Sequence, residues 1–146
     1  VEQSERVGLG HAVYQGLGHS NEPVLIVLGD AILELDYAKL LTSKNTTIGV
    51  HPVPDPQRFG IVELEGERIV KVIEKPENPP SNLAIIGIYY ISSQKNMAEA
   101  VEYLIDHDIR TKNEYQLTDA FQNMIDNGHR FNSLEIDNVL HSKDFS

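Results

Sequence analysis

Asp30 is the first residue of this chain whose type and place suit chemistry. It follows Gly29 at the end of an apolar run, Val24-Leu25-Ile26-Val27-Leu28. That run reads as a strand buried on both faces and central in a parallel-type sheet. Open α/β sheets bind their ligands beyond the carboxyl ends of strands. A carboxylate there can hold Mg²⁺ against a triphosphate, and Gly29 leaves room for a phosphate or sugar to approach. The same residues also suit an ordinary strand-terminal turn. The second candidate is Glu74-Lys75-Pro76. Successive residues at a strand end point to opposite faces. One can therefore meet a sugar hydroxyl while the other offers an ammonium to phosphate. Read alone, a solvated loop stopped by proline describes the triplet better. The third is Gly8-Leu9-Gly10-His11-Ala12, where glycines before a helix start can expose amides to an anion or a base edge. It lacks the further glycines or lysine of the Walker and Rossmann patterns.

Other chemistries find little support. The six histidines show no i, i+4 helical pairing and no acidic neighbour of metal type, and Gly-x-Ser-x-Gly is absent. The lack of cysteine excludes disulfides and thiolate zinc sites and fits a cytosolic protein. Tyr89 and Tyr90 suit a core and an edge better than a stacking platform.

The elements that position these candidates alternate between extended and helical. Gly8 to Leu17 reads as a loop entering a short helix, and a short helix is expected from Tyr37 to Leu41 with Asp36 as its N-cap. Thr46 to Val50 reads as a strand. Gly60-Ile61-Val62-Glu63-Leu64 and Arg68-Ile69-Val70-Lys71-Val72-Ile73 flank Glu65-Gly66-Glu67 as a β-hairpin. Leu83 to Ile91 is apolar and β-favouring, broken only by Gly87. Met97, Val101, Leu104 and Ile105 share one helix face. Leu117, Ala120, Phe121, Met124 and Ile125 make an amphipathic helix closed by Asn127-Gly128. Phe131 to Ile136 suits a last strand. The expected class is α/β, a mixed and mostly parallel sheet flanked by helices.

Composition bounds the partners. The chain has 146 residues, 40% hydrophobic and 23% charged, which suits one ordinary soluble domain. The formal net charge of −10 opposes a phosphate backbone, so a nucleic-acid polymer is not an expected partner. A single nucleotide stays open, because one local cationic pocket or a metal can hold it. No apolar run approaches the roughly 18 residues of a membrane span, and the polar residues after Val1 do not form a signal peptide. A soluble, cytoplasmic protein is expected.

Taken in order, the segments resemble one family. Gln3, Gly8-Leu9-Gly10-His11-Ala12-Val13, Leu28-Gly29-Asp30 and Asp55-Pro56-Gln57-Arg58-Phe59-Gly60-Ile61-Val62-Glu63 come first. Glu74-Lys75-Pro76, Ser81-Asn82-Leu83-Ala84-Ile85-Ile86-Gly87-Ile88-Tyr89 and Glu114-Tyr115-Gln116-Leu117-Thr118-Asp119-Ala120 follow. Together they are similar to the sugar-phosphate nucleotidylyltransferases, nearest the glucose-1-phosphate thymidylyl- and uridylyltransferases, over roughly Gln3 to Asn138. The resemblance implies that Gln3 and the Gly8 backbone contact a pyrimidine base. It makes Asp30 one of two metal-binding aspartates, with Mg²⁺ as the ion. Gly60 and Glu74 would hold the sugar hydroxyls, and Lys75 would touch the sugar phosphate across a cleft shared with Asp30. Lys112 stands near a phosphate-binding arginine of many members. The implied reaction is attack of a sugar 1-phosphate on the α-phosphorus of a pyrimidine nucleoside triphosphate, with release of pyrophosphate. Which of dTMP or UMP is transferred, and to which sugar, stays open.

Two departures from the family pattern carry expectations. The glycine-rich loop that grips the triphosphate should precede Gln3 and is not in the sequence. Residues 1–146 are thus expected to be a single, partial domain lacking its N-terminal strands, inactive by itself and associating through a bared sheet edge. Near the C-terminus, His141 stands where the second metal aspartate is expected. A non-catalytic sugar-phosphate-binding or regulatory subunit, or a degenerate remnant, is the alternative reading.

Overall fold

The computed structural model describes residues 8–18, 20–28, 31–33, 40–136 and 139–141, with 31–33 and 139–141 described by backbone alone. Gln3, Asp30 and the start of the helix expected from Tyr37 lie outside the described residues. The elements are α1 (Leu9–Gly16), β1 (Val24–Val27), β2 (Ala31–Leu33), β3 (Thr46–Pro52), a 3₁₀ turn (Pro56–Arg58), β4 (Gly60–Glu65) and β5 (Arg68–Glu74). They continue as β6 (Leu83–Ile91), α2 (Gln94–Asp106), α3 (Leu117–Asp126), β7 (Phe131–Glu135) and β8 (Val139–His141).

Six strands form one sheet in the order β1-β6-β3-β7-β5-β4, and Ile61 of β4 pairs again with Ala84 of β6. The mixed α/β class matches the expectation. Among the described residues, however, only β3 and β7 pair in parallel, and the remaining ladders are antiparallel. The mostly parallel balance expected from the apolar runs is therefore not that of these residues. An apolar run reports burial, and burial does not fix strand direction.

The position of β1 also differs from expectation. Its partner among the described residues is β6, antiparallel, with Val24 opposite Ile91 and Val27 opposite Ile88. Val27 is 46% exposed. Strand β6 is buried on both faces: its Ile86, Ile88 and Tyr90 join one core cluster while Tyr89 and Ile91 join the other. Among the described residues, two apolar runs of similar composition thus occupy an edge and a centre, a difference that periodicity does not encode.

The larger cluster lies between the sheet and the helices. Met97, Val101 and Leu104 of α2 and Leu117, Phe121 and Met124 of α3 bury against Ile48, Val50, Val62, Val72 and Phe131. The Phe121 ring sits 5.4 Å from both Tyr89 and Phe131. Burying each such side chain contributes about 1.5–3 kcal/mol. Helix α3 is further fixed to the sheet because Val72 N donates to Gln122 Oε1 at 2.7 Å. Its C-terminus closes as the Asn127-Gly128 pair predicts: Gly128 N donates to Ile125 O and His129 N to Met124 O, with Gly128 at φ 91°. No helix among the described residues is long and apolar enough to cross a membrane.

Candidate functional site

The open end of the β4–β5 hairpin gathers three of the expected residues. Gly60, the first residue of β4, stands opposite Glu74, the last of β5. Lys75 N then donates to Phe59 O at 3.0 Å, which ties the strand end to the loop ahead of β4. Lys75 is exposed and lies at φ 42°, in the left-handed region. That conformation is costly for a residue with a Cβ, and a following proline further disfavours helical backbone at the preceding residue.

The first turn of α3 packs onto this end. The Thr118 hydroxyl donates to Glu74 Oε2 at 2.9 Å. Thr118 is buried and Glu74 half-buried, so the carboxylate is held by a donor that water reaches poorly. A Cβ at Gly60 would lie 2.8 Å from Thr118 Cγ2, so only glycine lets the helix come this close.

Ahead of α3, Thr111 and Glu114 exchange both backbone hydrogen bonds, N to O at 2.9 Å and 3.1 Å. The two residues between them, Lys112 and Asn113, lie at φ 52° and 68°. A two-residue turn with both centres left-handed favours Asn and Gly; here an exposed lysine takes the first position. The turn is braced twice. The Thr111 hydroxyl donates to Asp119 Oδ2 at 2.6 Å, and Gln116 Nε2 donates to Thr111 O at 3.1 Å. Burial pushes the Asp119 carboxyl above its ordinary value, and the Thr111 bond only partly opposes this. Beside the turn, Asp108 Oδ1 accepts from Arg110 Nε at 2.6 Å and from the buried Tyr115 hydroxyl at 2.8 Å. The Arg110 bond holds the Asp108 carboxyl below its ordinary range.

Gly8 meets the same stretch from the other side. It lies at φ 108°, and a Cβ there would fall 2.5 Å from Tyr115 O and 2.9 Å from Glu114 Cβ. Gly10 N donates to Tyr115 O at 2.9 Å, locking the start of α1 onto residues 114–116.

The segment 111–119 is therefore a hub. Lys112 sits within it, Gly8 lies against Glu114 and Tyr115, and Gly60 and Glu74 lie against Thr118. Lys75 adjoins Glu74. Gln3 and Asp30 lie outside the described residues. Ala31, the residue after Asp30, pairs in register with His141, the position where a second metal aspartate is expected. Among the described residues no group of three or more His, Asp or Glu side chains could hold a metal ion. A histidine is also not among the oxygen ligands that Mg²⁺ favours. A cavity of about 360 Å³ opens at the opposite, Gly66–Glu67 end of the hairpin, lined by Ser43, Thr47 and Asn132 among others, and it includes none of the expected residues.

Sequence reasoning gave no role to Thr111, Thr118, Asp119 or the Asp108–Arg110–Tyr115 group. A Thr-Asp pair at a helix start signals a cap, but here both side chains turn away from that task. The residue before α3, Gln116, makes no side-chain cap either.

The nucleotidyl transferase family profile matches residues 1–138. The chain belongs to that family. It is 36% identical over 143 residues to the UTP–glucose-1-phosphate uridylyltransferase of Staphylococcus epidermidis, covering 85% of this chain and 47% of that protein. It is 36% identical over 126 residues to the bifunctional protein GlmU of Methanocaldococcus jannaschii, covering 86% of this chain and 29% of that one. Among solved structures, UDP-glucose pyrophosphorylase complexed with UDP-glucose superposes with a TM-score of 0.75 at 26% identity, covering 94% of this chain and 57% of that one. The chain thus spans less than half the length of these two curated relatives, and the family resemblance read from its motifs holds.

Proposed function

We propose that this nucleotidyl transferase chain carries the sugar-1-phosphate side of a site that transfers a pyrimidine nucleotidyl group, dTMP or UMP, to a sugar 1-phosphate. The observation that supports this most is the backbone at Lys75 and Lys112. Both expected phosphate-binding cations lie in the left-handed region, where lysine gains nothing structurally. Strained backbone of this kind concentrates at ligand clamps. Next to Lys75, Glu74 is preset by Thr118 to accept from sugar hydroxyls, and Gly60 keeps the ground beside it clear.

In this reading, an oxygen of the sugar 1-phosphate attacks the α-phosphorus of the triphosphate. A new P–O bond forms, the α–β bridge breaks, and pyrophosphate leaves. The nucleophile is already an anion, so no general base is required. What the residues supply is alignment and charge neutralisation, with Lys75 and Lys112 offsetting the repulsion between two anions. Gln3 and the Gly8 backbone are the proposed contacts to the base. Asp30 is the proposed ligand of Mg²⁺, which would offset triphosphate charge when bound. The family's triphosphate loop is not among these 146 residues, so the chain by itself is expected to bind without turning over.

Titration with glucose 1-phosphate tests the reading. Saturable binding that weakens about tenfold or more in Lys75→Ala is the expected result. Absence of binding to the wild-type chain ends it. Pyrophosphate release from the chain with dTTP or UTP and Mg²⁺ would overturn the expectation of binding without turnover.

A further inference from the structure

Thr118 and Asp119 are adjacent on α3, yet their side chains reach two different loops. The Thr118 hydroxyl donates to Glu74 at the end of β5, and Asp119 accepts from Thr111 at the base of the Lys112 turn. The helix that carries both is firmly placed. Leu117, Ala120, Phe121 and Met124 are buried in the core, and Gln122 is bonded to β5. One rigid element thus holds two otherwise separate pieces of chain, one ending in a carboxylate and Lys75, the other bearing Lys112.

We propose that the first turn of α3 is a two-armed positioning device for the sugar phosphate. Thr118 orients the Glu74 carboxylate toward sugar hydroxyls, and Asp119, through Thr111, sets the Lys112 turn against the phosphate. This rests on the sugar-phosphate reading above. The physical gain is preorganisation: groups held before the ligand arrives lose less freedom when it binds. Neither Thr118 nor Asp119 touches the ligand, so both act through another residue.

The two arms make separable predictions. Wild type, Thr118→Val, Thr118→Ser, Thr111→Val and Thr111→Ser are titrated by NMR with glucose 1-phosphate and, separately, with inorganic phosphate. Thr118→Val keeps the methyl beside Gly60 and removes the donor. It should weaken glucose 1-phosphate about tenfold and leave inorganic phosphate unchanged. Thr111→Val should weaken both ligands by the same factor. Each serine variant keeps its hydroxyl and should bind both ligands as wild type does. Thr118→Ala carries the same expectation as Thr118→Val if the valine variant does not fold. In the ligand-free proteins, the Glu74 side-chain carboxyl signal should shift in Thr118→Val and amide exchange should quicken at Glu114 in Thr111→Val, with Lys75 and α2 unaffected.

Equal loss of both ligands in Thr118→Val, or serine variants that fail as the valine variants do, would reduce the bonds to general stabilisation and overturn the proposal. Wild-type binding with unchanged affinities and unchanged exchange in the valine variants also overturns it, while leaving the sugar-phosphate reading intact. A wild-type chain that binds neither ligand, while the valine variants show the stated Glu74 and Glu114 responses, sinks the sugar-phosphate reading; the positioning role falls with it and a structural brace remains.

Discussion

Gly60 stands opposite Glu74 in the β4–β5 ladder, and a Cβ at Gly60 would lie within 2.8 Å of Thr118 Cγ2 and 3.8 Å of Glu74 Oε2. The glycine is thus the gap that lets helix, strand and carboxylate meet. Gly60→Ala should cost about 1–3 kcal/mol by overpacking. In urea the midpoint should fall with the slope unchanged. An alanine variant as stable as wild type would show that α3 can shift without loss.

Lys75 and Lys112 make the opposite trade. Replacing either with glycine removes the Cβ that makes φ 42° or φ 52° costly. Each change should raise stability by about 1 kcal/mol, read by urea unfolding, while weakening sugar-phosphate binding. Lys75→Ala keeps the strain and should lose binding without gaining stability. Glycine variants less stable than wild type would contradict a cost at these two positions.

Asp119 predicts a pH dependence. Its carboxyl is raised above the ordinary 3.8 in the folded protein by burial. The folded state therefore holds this proton more tightly than the unfolded chain. Its contribution to stability is fully present below about 3.8 and is lost as pH rises through the elevated folded value. Asp119→Asn keeps an acceptor for Thr111 and removes the titration. The stability of wild type relative to Asp119→Asn should fall as pH rises from about 4, then level off. A difference flat across that interval would refute the burial argument.

The edge of β1 predicts self-association. Val27 is 46% exposed on a strand whose partner among the described residues is β6. Unpaired strand edges recruit other strands. Light scattering should report a dimer or larger species, and Val27→Lys should shift it toward monomer. A wild-type chain that stays monomeric across concentration would count against the exposed edge as a contact.

Local patterns carried the local structure. The β4–β5 hairpin, the stripe of α3 and its Asn127-Gly128 stop follow from period and turn chemistry, because each depends on residues a few positions apart. The candidate site was legible only where a motif marked it. Gly60 and Glu74 could be matched to a pattern, whereas the Thr118–Glu74 bond joins positions far apart in the chain, and no window contains both. The left-handed backbone of Lys75 and Lys112 was hidden for another reason. Glycine and asparagine advertise positive φ, but lysine does not, so the strain emerges only once neighbouring bonds impose it. Direction in the sheet was equally invisible, since the apolar runs of β1 and β6 look alike and, among the described residues, only β6 is central.

The parallel pairing of Thr46–Val50 with Phe131–Glu135 sets an order on the birth of this molecule. The hairpin can zip as soon as it leaves the ribosome, but β3 must wait for a partner made much later. Until then Ile48 and Val50, fully buried in the finished fold, lack that neighbour. Long-range closure of this kind slows folding and leaves sticky surface open meanwhile. The nascent chain is therefore most open to misassembly after Thr46–Val50 has been made and before Phe131–Glu135 joins it.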